Sequence, residues 1–369
     1  MIALFYGGCS LEHEISILST LQFVKYFEKD EVILVYVSKE NKFYIGECLY
    51  DFDFYSKMKL TQCKEVILEK KETNVYLKTK ELFPRKIMID CIFPLMHGLS
   101  GEDGSIQGVF ELLDIPYAES KLSTCAIFMD KDLTRKMFQV HQIPYADGIT
   151  LYKQDVLKNL DSLNQIKIEK PWILKPARGG SSIGINCVYE DDEMNQKVLE
   201  TFSFDSKIVL ERKYEKIREF NVAVLGNTYE QKVSHIEEIH VSDDYYTYSD
   251  KYGGSVVKQK PASRTCPADI YEDLEKEIKE LARKAFIQFE CSGVVRFDFL
   301  YSDHLMMNEV NIIPGSYSMY LFKGIRTPKE MIEILKNCAI ENYMEKAKEI
   351  RNLDSFIFKK NWNDQYLKK

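Results

Sequence analysis

The stretch Gly293–Asn311, GVVRFDFLYSDHLMMNEVN, contains two apolar, strand-like runs joined by the short turn YSDH, which predicts an antiparallel hairpin. Residues two apart in a strand point to the same face, so Arg296 and Asp298 share one face of the first strand. Glu309 likewise shares a face of the second strand with Asn311. If these faces coincide, two carboxylates, an amide oxygen and a guanidinium converge. The commoner use of such residues is a solvated salt-bridge face on an edge hairpin, but the flanking residues are too apolar for it.

This set of side chains predicts a site for a nucleotide and a metal ion. Carboxylate and amide oxygens suit Mg²⁺, which one or two carboxylates typically hold together with the phosphate oxygens of a nucleotide. A guanidinium beside them would stabilise charge that develops on a transferring phosphoryl or acyl group.

The composition is that of a globular protein with two or three domains. The chain has 369 residues, of which 45% are hydrophobic and 29% are charged, and its formal net charge is -7. This length predicts domains of roughly 100 to 150 residues. The net charge provides no field that would attract nucleic acid, whereas it is compatible with the binding of a small anionic ligand. No apolar run reaches the length of about 18 residues that predicts a membrane span.

The N-terminus and the cysteines both predict a cytoplasmic protein. The opening MIALFYGGCS enters a strand-like run directly, without the basic segment and the cleavage site of a signal peptide. Nine scattered cysteines contain no CxxC pair, so we expect reduced thiols rather than a disulfide framework or a zinc site.

The first third of the chain alternates strands and helices. MIALFY, EVILVYVS and KIMIDCIFPLMHG are predicted as strands, the last of them long and continuous, and EISILSTLQFVKYFE as a helix. This order predicts a parallel sheet covered by helices. Ligands bind beyond the carboxyl ends of such strands, where GGCSLEHE and HGLSGEDGS lie. Residues 41–85 are polar and hairpin-like, and we interpret them as an insertion.

The rest of the chain predicts a smaller α+β unit and a further set of strands and helices. One helix is expected from about Leu122 to the Ile143-Pro144 step, because the residue before a proline avoids the helical region. A unit of about 70 residues follows, and later helices are expected in DIYEDLEKEIKELARKAFIQF and PKEMIEILKNCAIENYMEKAKEI. Between these lies a polar loop, Ser242–Arg264, rich in Tyr and Gly, and loops of this length are usually functional or disordered.

Three further motifs are suited to binding a ligand. In WILKPARGGSSIG, glycines would let the backbone approach phosphate oxygens and Lys175 would supply charge, although a plain hairpin turn is the alternative. In MHGLSGEDGSIQG, His97 could neutralise an anionic substrate, while Glu102 and Asp103 could simply cap a helix. In GGCSLEHEIS, at least one acid is expected to be a helix cap.

Taken together and in this order, the motifs resemble those of the D-alanine–D-alanine ligases, members of the ATP-grasp superfamily. GGCSLEHEIS is similar to the family's opening motif, HGLSGEDGSIQGVFELLDIPY to its next signature, and MDKDLTRK to its MDK segment. LKPARGGSSIG is similar to its phosphate loop, and RFDF and NEVNIIPG to its R-D and E-N-PG strands. The similarity covers nearly the whole chain, and the combination is highly specific.

The resemblance implies a chain of α/β and α+β units with the ATP-grasp fold. An N-terminal parallel-sheet (pre-ATP-grasp) domain that binds substrate, 1–121, would precede a central ATP-grasp subdomain with the phosphate loop, 122–213. A C-terminal ATP-grasp domain, 214–369, would carry the metal site and a lid loop, 242–264.

The resemblance also implies a two-step reaction that gives D-alanyl-D-alanine, ADP and phosphate for peptidoglycan precursor synthesis. ATP would phosphorylate the carboxylate of one D-alanine, and the amine of a second would attack the acyl phosphate through a tetrahedral intermediate. Phosphorylation converts a carboxylate oxygen into a leaving group, and enclosure keeps water from the intermediate. ATP is then a substrate and Mg²⁺ the cofactor, with two ions expected and Mn²⁺ as an alternative. Relatives of this kind are commonly homodimers.

By the match, ATP and the metal ions contact a defined set of residues. The phosphates would meet Lys131, Lys175, the loop residue Ser182 and, from the lid, Lys251. Adenine would meet Glu211 and the backbone near Arg212 and Tyr214, and the ribose would meet Glu219. The two metal ions would lie on Asp298, Glu309 and Asn311.

The match also assigns the residues around the reacting groups. Arg296 and the backbone of Gly315 would stabilise the tetrahedral oxyanion. Glu12 would bind the ammonium group of the first substrate, and His97 its carboxylate. Tyr252 of the lid would form a hydrogen-bonded trio with Glu12 and Ser181, and a tyrosine at this position favours an amine nucleophile.

The sequence departs from the family after Gly315, where SYSMYLF replaces the usual segment that holds the carboxylate of the second D-alanine. Alignment without a gap places Tyr320 at the family's serine, followed by the backbone of Leu321, whereas a gap of two residues places Ser318 there. Ile312 also stands where the family often has Thr. A buried carboxylate without its donor costs several kcal/mol, so the second substrate is the open question.

Three alternative functions make different demands on the sequence. A related ATP-grasp ligase that joins a different amine, such as D-serine or a building block of a secondary metabolite, shares every nucleotide residue. A nucleotide-binding sensor would lack the catalytic side chains that are present here. A dinucleotide-dependent oxidoreductase would need GxGxxG after the first strand, and FYGGCS lacks that spacing.

Overall fold

The computed structural model describes residues 1–240 and 263–350, and within them three β-sheets are covered by helices. The predicted lid falls mainly outside this part of the chain, as do residues 351–369. No helix among the described residues is both long enough and apolar enough to cross a lipid bilayer.

The N-terminal sheet has seven strands in the order β6-β5-β4-β3-β2-β1-β7. Its strands are β1 (Ile2–Gly7), β2 (Val32–Val37), β3 (Phe43–Ile45), β4 (Lys64–Lys71), β5 (Asn74–Thr79), β6 (Lys86–Ile89) and β7 (Cys91–Pro94). β1 runs parallel to both β2 and β7, which confirms the predicted parallel core. β2 to β6 pair antiparallel, so the hairpin-like character predicted for residues 41–85 is also confirmed.

The prediction of one long strand over KIMIDCIFPLMHG is wrong. Asp90 separates two strands that pair at opposite ends of the sheet order, since β6 binds β5 and β7 binds β1. The backbone N–H of Asp90 donates to the carbonyl of Met1, which interrupts the regular ladder. Continuous apolarity cannot reveal such a break, because both halves are apolar.

The second sheet has four antiparallel strands in the order β10-β9-β11-β8. They are β8 (Gly148–Tyr152), β9 (Trp172–Pro176), β10 (Asn186–Val188) and β11 (Lys207–Arg212). The third sheet has five antiparallel strands in the order β14-β13-β12-β15-β16. They are β12 (Arg218–Gly226), β13 (Gln231–His240), β14 (Ser263–Thr265), β15 (Gly293–Tyr301) and β16 (Leu305–Asn311).

The described α-helices lie between and after these strands. They are α1 (His13–Phe23), α2 (Phe52–Lys57), α3 (Ser105–Leu112), α4 (Leu122–Met129), α5 (Lys131–Val140), α6 (Lys153–Lys158), α7 (Asp191–Thr201), α8 (Glu272–Gln288) and α9 (Pro328–Lys348). Short 3₁₀ turns occupy Val24–Tyr26, Glu47–Tyr50, Leu60–Gln62, Leu160–Gln165 and Gly315–Phe322.

The single helix predicted from Leu122 is instead two helices, α4 and α5. Asp130 adopts extended backbone angles between them, and its carboxylate accepts from the backbone N–H groups of Asp132 and Leu133. This is a helix N-cap, which starts a new helix rather than continuing the old one. The break places Lys131 at the first position of α5.

Two apolar cores hold the site in place. Helix α8 buries residues spaced three and four apart, such as Ile278, Ala282 and Ala285, against strands of the third sheet. A second core joins the N-terminal sheet to the 3₁₀ turn Gly315–Phe322 and helix α9. Full burial of each such apolar side chain contributes roughly 1.5–3 kcal/mol, so these cores fix the ends of β16 and β1 relative to each other.

Candidate active site

The hairpin formed by β15 and β16 brings the four predicted side chains together. Arg296 lies opposite Asn311 and Asp298 lies opposite Glu309 in the register of the two strands. Beyond Asp298 the register shifts, because Phe299 pairs with Met307, and one extra residue of β16 is accommodated. The prediction that these side chains share one face is confirmed.

These residues form a connected polar cluster rather than a solvated edge. The guanidinium of Arg296 donates through Nε to Oδ1 of Asp298 at 2.7 Å and through Nη2 to Oδ2 at 2.8 Å. Nδ2 of Asn311 donates to the same Oδ2 at 2.9 Å. Asp298 is only 6% exposed, so the surface salt-bridge reading does not hold. Burial opposes the charged form of Arg296, but the Asp298 carboxylate outweighs this and raises the pKa of the guanidinium.

Two cavities meet at this cluster. The larger has a volume of about 940 Å³ and the smaller about 170 Å³. Both are lined by Lys131, Gly180, Glu219, Asp298 and Glu309. A ligand in the larger cavity and one in the smaller cavity would therefore meet at the two carboxylates of the hairpin.

Two lysines, the half-buried Lys131 and the buried Lys175, line the larger cavity. Nζ of Lys131 donates to the carbonyl of Gly179 at 2.6 Å and to Oε1 of Glu309 at 3.1 Å. Burial lowers the pKa of Lys131, but the Glu309 carboxylate reverses this and leaves the pKa raised. Nζ of Lys175 lies 2.6 Å from Oε2 of Glu211 and 2.9 Å from Oδ1 of Asn308. Acidic side chains thus hold both amines in place, and lysine is a common ligand of phosphate groups.

The other residues predicted to contact ATP also line the larger cavity: Ser182, Glu211, Arg212, Tyr214 and Glu219. The guanidinium carbon of Arg212 lies 5.3 Å from the centroid of the Tyr214 ring, a stacked arrangement. The volume and this lining suit a nucleotide.

The loop between β9 and β10 closes the other side of both cavities. Ser181 and Ser182 have φ values of 53° and 60°, an unusual left-handed backbone for residues with a side chain. A Cβ added at Gly180 would lie 2.5 Å from Oε2 of Glu12, so a side chain at this position would displace that carboxylate. Ser181 Oγ donates to Oε1 of Glu12 across a separation of 169 residues.

Glu12 and His97 both line the smaller cavity. Burial and the nearby Arg296 lower the pKa of His97 to about 4, so its imidazole is neutral at pH 7. Its Nε2 atom is buried and has no hydrogen-bond partner among the described residues. A neutral imidazole meets a carboxylate as a hydrogen-bond donor and not as a cation.

Glu102 is a site residue that we did not predict from the sequence. Helix α3 begins at Ser105, and Asp103 rather than Glu102 accepts from the N–H of that residue. Glu102 instead lines the smaller cavity, where its carboxylate accepts from Gly98 N–H at 2.7 Å and Ile313 N–H at 3.3 Å. Burial and the neighbouring Glu12 raise the pKa of Glu102 to about 8. The sequence does contain a signal for this role, because Glu102 follows a strand of the buried parallel sheet, where ligands bind.

The segment that departs from the family is only partly at the cavity. Gly315 lines the smaller cavity, but Ser318, Tyr320 and Leu321 are absent from its wall as formed by the described residues. The hydroxyl of Ser318 is buried without a hydrogen-bond partner in this part of the chain, and Leu321 lies in the apolar core. Tyr320 donates its phenol O–H to Oε2 of Glu237 at 2.9 Å.

An unusual backbone holds this segment in place. Ser316, Tyr317 and Ser318 have φ values of 47°, 51° and 47°, all in the left-handed region. Such residues cost of order 1–3 kcal/mol each and persist where the surroundings hold them. Here Ser316 N–H donates to Ser19 Oγ at 2.7 Å, and the Tyr317 hydroxyl donates to the carbonyl of Pro94 at 2.6 Å.

The predicted lid residues Lys251 and Tyr252 lie outside the described residues. The predicted trio is therefore described only through its Glu12–Ser181 contact. Of the predicted loop, only Ser263 and Arg264 are described, and both belong to β14.

The hairpin residues fit a magnesium ion better than a transition metal. The described residues contain no group of three or more His, Cys, Asp or Glu side chains that could hold a metal. Asp298, Glu309 and Asn311 offer two carboxylates and one amide on one face, and no thiolate or imidazole is among them. Mg²⁺ is usually bound by one or two carboxylates with phosphate oxygens completing its shell, and this set meets that requirement.

Comparison with known proteins gives one consistent result. The family descriptions "D-ala D-ala ligase N-terminus" and "D-ala D-ala ligase C-terminus" match residues 1–120 and 137–332. The chain is 35% identical to the D-alanine–D-alanine ligase of Thermosipho africanus, over 97% of this chain and 98% of that protein. It is 32% identical to the D-alanine–D-alanine ligase of Staphylococcus epidermidis, over 96% of this chain and 98% of that protein.

Solved structures of the same kind share the fold. The D-alanine–D-alanine ligase of Coxiella burnetii superposes with a TM-score of 0.79 at 26% identity, covering 94% of this chain and 95% of that chain. The VanG D-Ala:D-Ser ligase of Enterococcus faecalis superposes with a TM-score of 0.76 at 27% identity, covering 92% and 98%. The chain belongs to the D-alanine–D-alanine ligase family of the ATP-grasp superfamily, whose members are ATP-dependent carboxylate–amine ligases.

Proposed function

We propose that this enzyme phosphorylates the carboxylate of one D-alanine with ATP and joins it to the amine of a second, releasing D-alanyl-D-alanine, ADP and phosphate. The observation that carries the proposal is the meeting of two cavities at Asp298 and Glu309, with Lys131 beside them. A nucleotide in the larger cavity would thereby present its terminal phosphate to a small substrate in the smaller one.

In the first step, the phosphates of ATP lie between the amines of Lys131 and Lys175. The adenine lies toward Glu211, Arg212 and Tyr214, and Glu219 faces the ribose. Asp298, Glu309 and Asn311 would hold Mg²⁺, with two ions proposed and Mn²⁺ as a substitute, and the bound metal would neutralise phosphate charge. An oxygen of the first substrate's carboxylate attacks the γ-phosphorus, and ADP leaves.

The first D-alanine is oriented by the N-terminal side of the smaller cavity. Glu12 receives the ammonium group, and its position is fixed by the hydroxyl of Ser181. His97 offers its unpartnered Nε2 side to the carboxylate as a neutral donor. Such fixed positioning lowers the barrier because the reacting atoms are held together before reaction.

In the second step, the amine of the second substrate attacks the carbonyl carbon of the acyl phosphate and loses a proton. The C–N bond forms first and gives a tetrahedral intermediate with negative charge on the former carbonyl oxygen. The C=O bond is then restored as the C–O bond to phosphate breaks and phosphate leaves. We propose that Arg296 and the backbone N–H of Gly315, two residues that line the smaller cavity, stabilise that oxyanion. We propose that Lys251 and Tyr252, on the 242–264 lid, complete the enclosure, which keeps water from the acyl phosphate.

We further propose the division of the chain into units 1–121, 122–213 and 214–369. One sheet lies in each of these ranges. Residues of all three units line the smaller cavity, and residues of the second and third units line the larger one. We also propose that the enzyme acts in the cytoplasm, because its reaction consumes ATP, and that it is a homodimer.

An alternative second substrate is supported by the segment Gly315–Phe322. Its sequence departs from the family where the second substrate binds, and one similar solved structure is a D-Ala:D-Ser ligase. In this alternative, the same activation of D-alanine precedes attack by D-serine or another amine.

The test is phosphate release with ATP, Mg²⁺ and D-alanine, followed by the same assay with a panel of second amines and identification of the products by mass spectrometry. D-Alanyl-D-alanine with D-alanine alone is the expected result. Phosphate release that rises only when another amine is added would replace the dipeptide proposal with the alternative. No release with any D-amino acid would contradict both.

A further inference from the structure

Two thiols outside the active site face each other. The Sγ atoms of Cys48 and Cys63 lie 3.3 Å apart, and both residues are partly exposed. Cys48 lies in the 3₁₀ turn Glu47–Tyr50, and Cys63 follows the 3₁₀ turn Leu60–Gln62. Neither cysteine lines the cavities of the active site.

The backbone on both sides of this pair is anchored. Ile45, three residues before Cys48, pairs with Lys64, which directly follows Cys63, in the ladder between β3 and β4. A Cβ at Gly46 would lie 3.3 Å from Sγ of Cys48 and 3.4 Å from Cα of Cys63. The absence of a side chain at Gly46 therefore leaves room for the two thiols to meet.

Aromatic residues hold the intervening segment against the N-terminal sheet. The hydroxyl of Tyr55 donates to the carbonyl of Leu49 at 2.7 Å and shares a hydrogen bond with the hydroxyl of Tyr6. The hydroxyl of Tyr50 donates to the carbonyl of Val32 at 3.2 Å. These contacts keep residues 48–63 folded over the sheet and hold the two thiols close to each other.

A covalent bond requires only a small movement. The S–S bond of a disulfide is about 2.05 Å long, so the two sulfurs must approach by a little over 1 Å in total. Two flexible Cys side chains can provide this through rotation about χ1. Two thiolates alone do not make a structural zinc site, which needs four ligands.

We propose that Cys48 and Cys63 are a site of reversible oxidation. They form a disulfide with each other, and a low-molecular-weight disulfide is reduced in exchange. The thiolate of Cys48 attacks one sulfur of the small disulfide, and one small thiol leaves. The thiolate of Cys63 then attacks Sγ of Cys48 in the mixed disulfide, and the second small thiol leaves. Two protein thiols are oxidised, one small disulfide is reduced to two thiols, and both protons pass to the products.

The order of attack follows from the surroundings of Cys63. Burial, together with the hydrogen bond to Cys48, raises the pKa of the Cys63 thiol to about 12. Because the thiolate is the nucleophile, Cys63 reacts second, and closure of the disulfide accelerates as the pH rises.

The disulfide would act as a clamp on the segment 48–63. It closes a short loop and so reduces the conformational freedom of the unfolded chain. We expect oxidation to raise Tm by about 5 °C and to leave turnover within about twofold, because the linked residues do not line the active site.

The experiment uses the full chain, incubated with oxidised glutathione at pH 7.5 and 8.5, alkylated, and digested with trypsin without reduction. Cleavage after lysine separates residues 43–57, which contain Cys48, from residues 60–64, which contain Cys63. The expected product is these two peptides joined, with the mass of two hydrogens missing, more abundant at pH 8.5 and absent after dithiothreitol.

Matched variants locate the effect. Cys48→Ser and Cys63→Ser should each abolish the linked peptide and the rise in Tm on oxidation. Cys9→Ser and Cys266→Ser remove the two exposed cysteines and should retain both. Each Tm shift is measured between reduced and oxidised samples of the same variant, so a change in starting stability does not confuse the result. Glutathione attached to Cys48 with no linked peptide at either pH would overturn the proposal, and a linked peptide without a Tm shift would overturn the clamp.

Discussion

The Arg296 guanidinium and the Asp298 carboxylate form a two-point ion pair along one strand, with donor–acceptor distances of 2.7 and 2.8 Å. Asp298 thus holds the guanidinium at the wall of the smaller cavity and also presents its carboxylate beside Glu309. One contact links the residue proposed for the oxyanion to a residue proposed for the metal. Substitution of Asp298 should therefore affect both the binding of the metal and the position of the guanidinium.

Arg296→Lys should lower turnover by about 100- to 1000-fold, which is the usual cost of losing one donor to an oxyanion. Lysine retains the positive charge beside Asp298 but loses the fork that makes two parallel hydrogen bonds. ATP affinity, measured by calorimetry with a non-hydrolysable analogue, should change by less than about threefold, since Arg296 does not line the larger cavity. The control is Arg283→Lys on the exposed side of α8. Equal losses of ATP affinity and turnover would contradict the assigned role.

Glu309→Gln should raise the Mg²⁺ concentration needed for half-maximal phosphate release by at least about tenfold, because one of two carboxylate ligands is lost. Lys131 also loses the carboxylate that it contacts. The affinity of the variant for ATP should therefore depend less on the Mg²⁺ concentration than that of the parent. Titration of Mg²⁺ at fixed ATP measures this, and excess EDTA should abolish phosphate release in the parent enzyme. Glu272→Gln, exposed at the start of α8, is the control and should titrate like the parent.

Period-two counting predicted the core of this site because a strand of fixed register leaves little freedom. Period two puts Arg296 and Asp298 on one face of β15 and Glu309 and Asn311 on one face of β16. The two faces coincide because the register shifts by one residue between Asp298 and Phe299, and the local pattern does not reveal that shift. The parallel core of the first sheet followed in the same way from the order of strands and helices.

What sequence patterns missed depends on single backbone interactions. Asp130 ends α4 and caps α5, and Asp90 interrupts an apolar run, yet neither breaks the local periodicity. Glu102 looked like a helix cap because its neighbour Asp103 is one. Its contact with Ile313 joins residues 211 apart, which no local pattern can reveal.

His97 should make stability depend on pH in acid. Its pKa is about 4 in the folded chain and about 6.5 when unfolded, so the folded state binds fewer protons between these values. The stabilising contribution is therefore complete above pH 6.5 and is lost as the pH falls toward 4. In His97→Asn, the fall in Tm between pH 6.5 and pH 4 should be smaller than in the parent. Exposed His304→Asn is the control and should follow the parent curve.

Glu119 should make stability depend on pH in the opposite direction. Burial raises the pKa of this carboxyl group well above its usual value, and its Oε2 atom lacks a partner in the described chain, as does Oε1 of Gln107. Gln107 donates through Nε2 to Oε1 of Glu119, so a proton on Oε2 would satisfy both remaining atoms in one cyclic acid–amide pair. The folded state then binds one more proton than the unfolded state, and stability falls as the pH rises above about 4.5.

Glu119→Gln should remove this penalty, because an amide can form the same cyclic pair without a proton from solvent. The Tm of the variant relative to the parent should increase from pH 5 to pH 8, measured by thermal unfolding at constant ionic strength. Glu290→Gln, an exposed residue, should show no such trend. A variant less stable than the parent by the same amount at every pH would show that Glu119 is not protonated in the fold.

Ser318→Ala separates the two placements of the second-substrate segment. The hydroxyl is buried without a hydrogen-bond partner in the described chain, so its removal should leave the free energy of unfolding unchanged or slightly higher. If Ser318 occupies the position of the family's serine, the KM for the second D-alanine should rise by about tenfold or more, since a charged hydrogen bond contributes about 1.5–3 kcal/mol.

Tyr320→Phe is the matched variant, because it removes one hydroxyl from the other candidate. The loss of its hydrogen bond to Glu237 should lower stability slightly, whichever placement is right. The measurement is initial rate against the concentration of the second substrate, with the first substrate saturating. A raised KM in Ser318→Ala with an unchanged KM in Tyr320→Phe would place Ser318 at the acceptor carboxylate, and the reverse pattern would place Tyr320 there. Equal KM values in both variants and the parent would show that neither hydroxyl binds the second substrate.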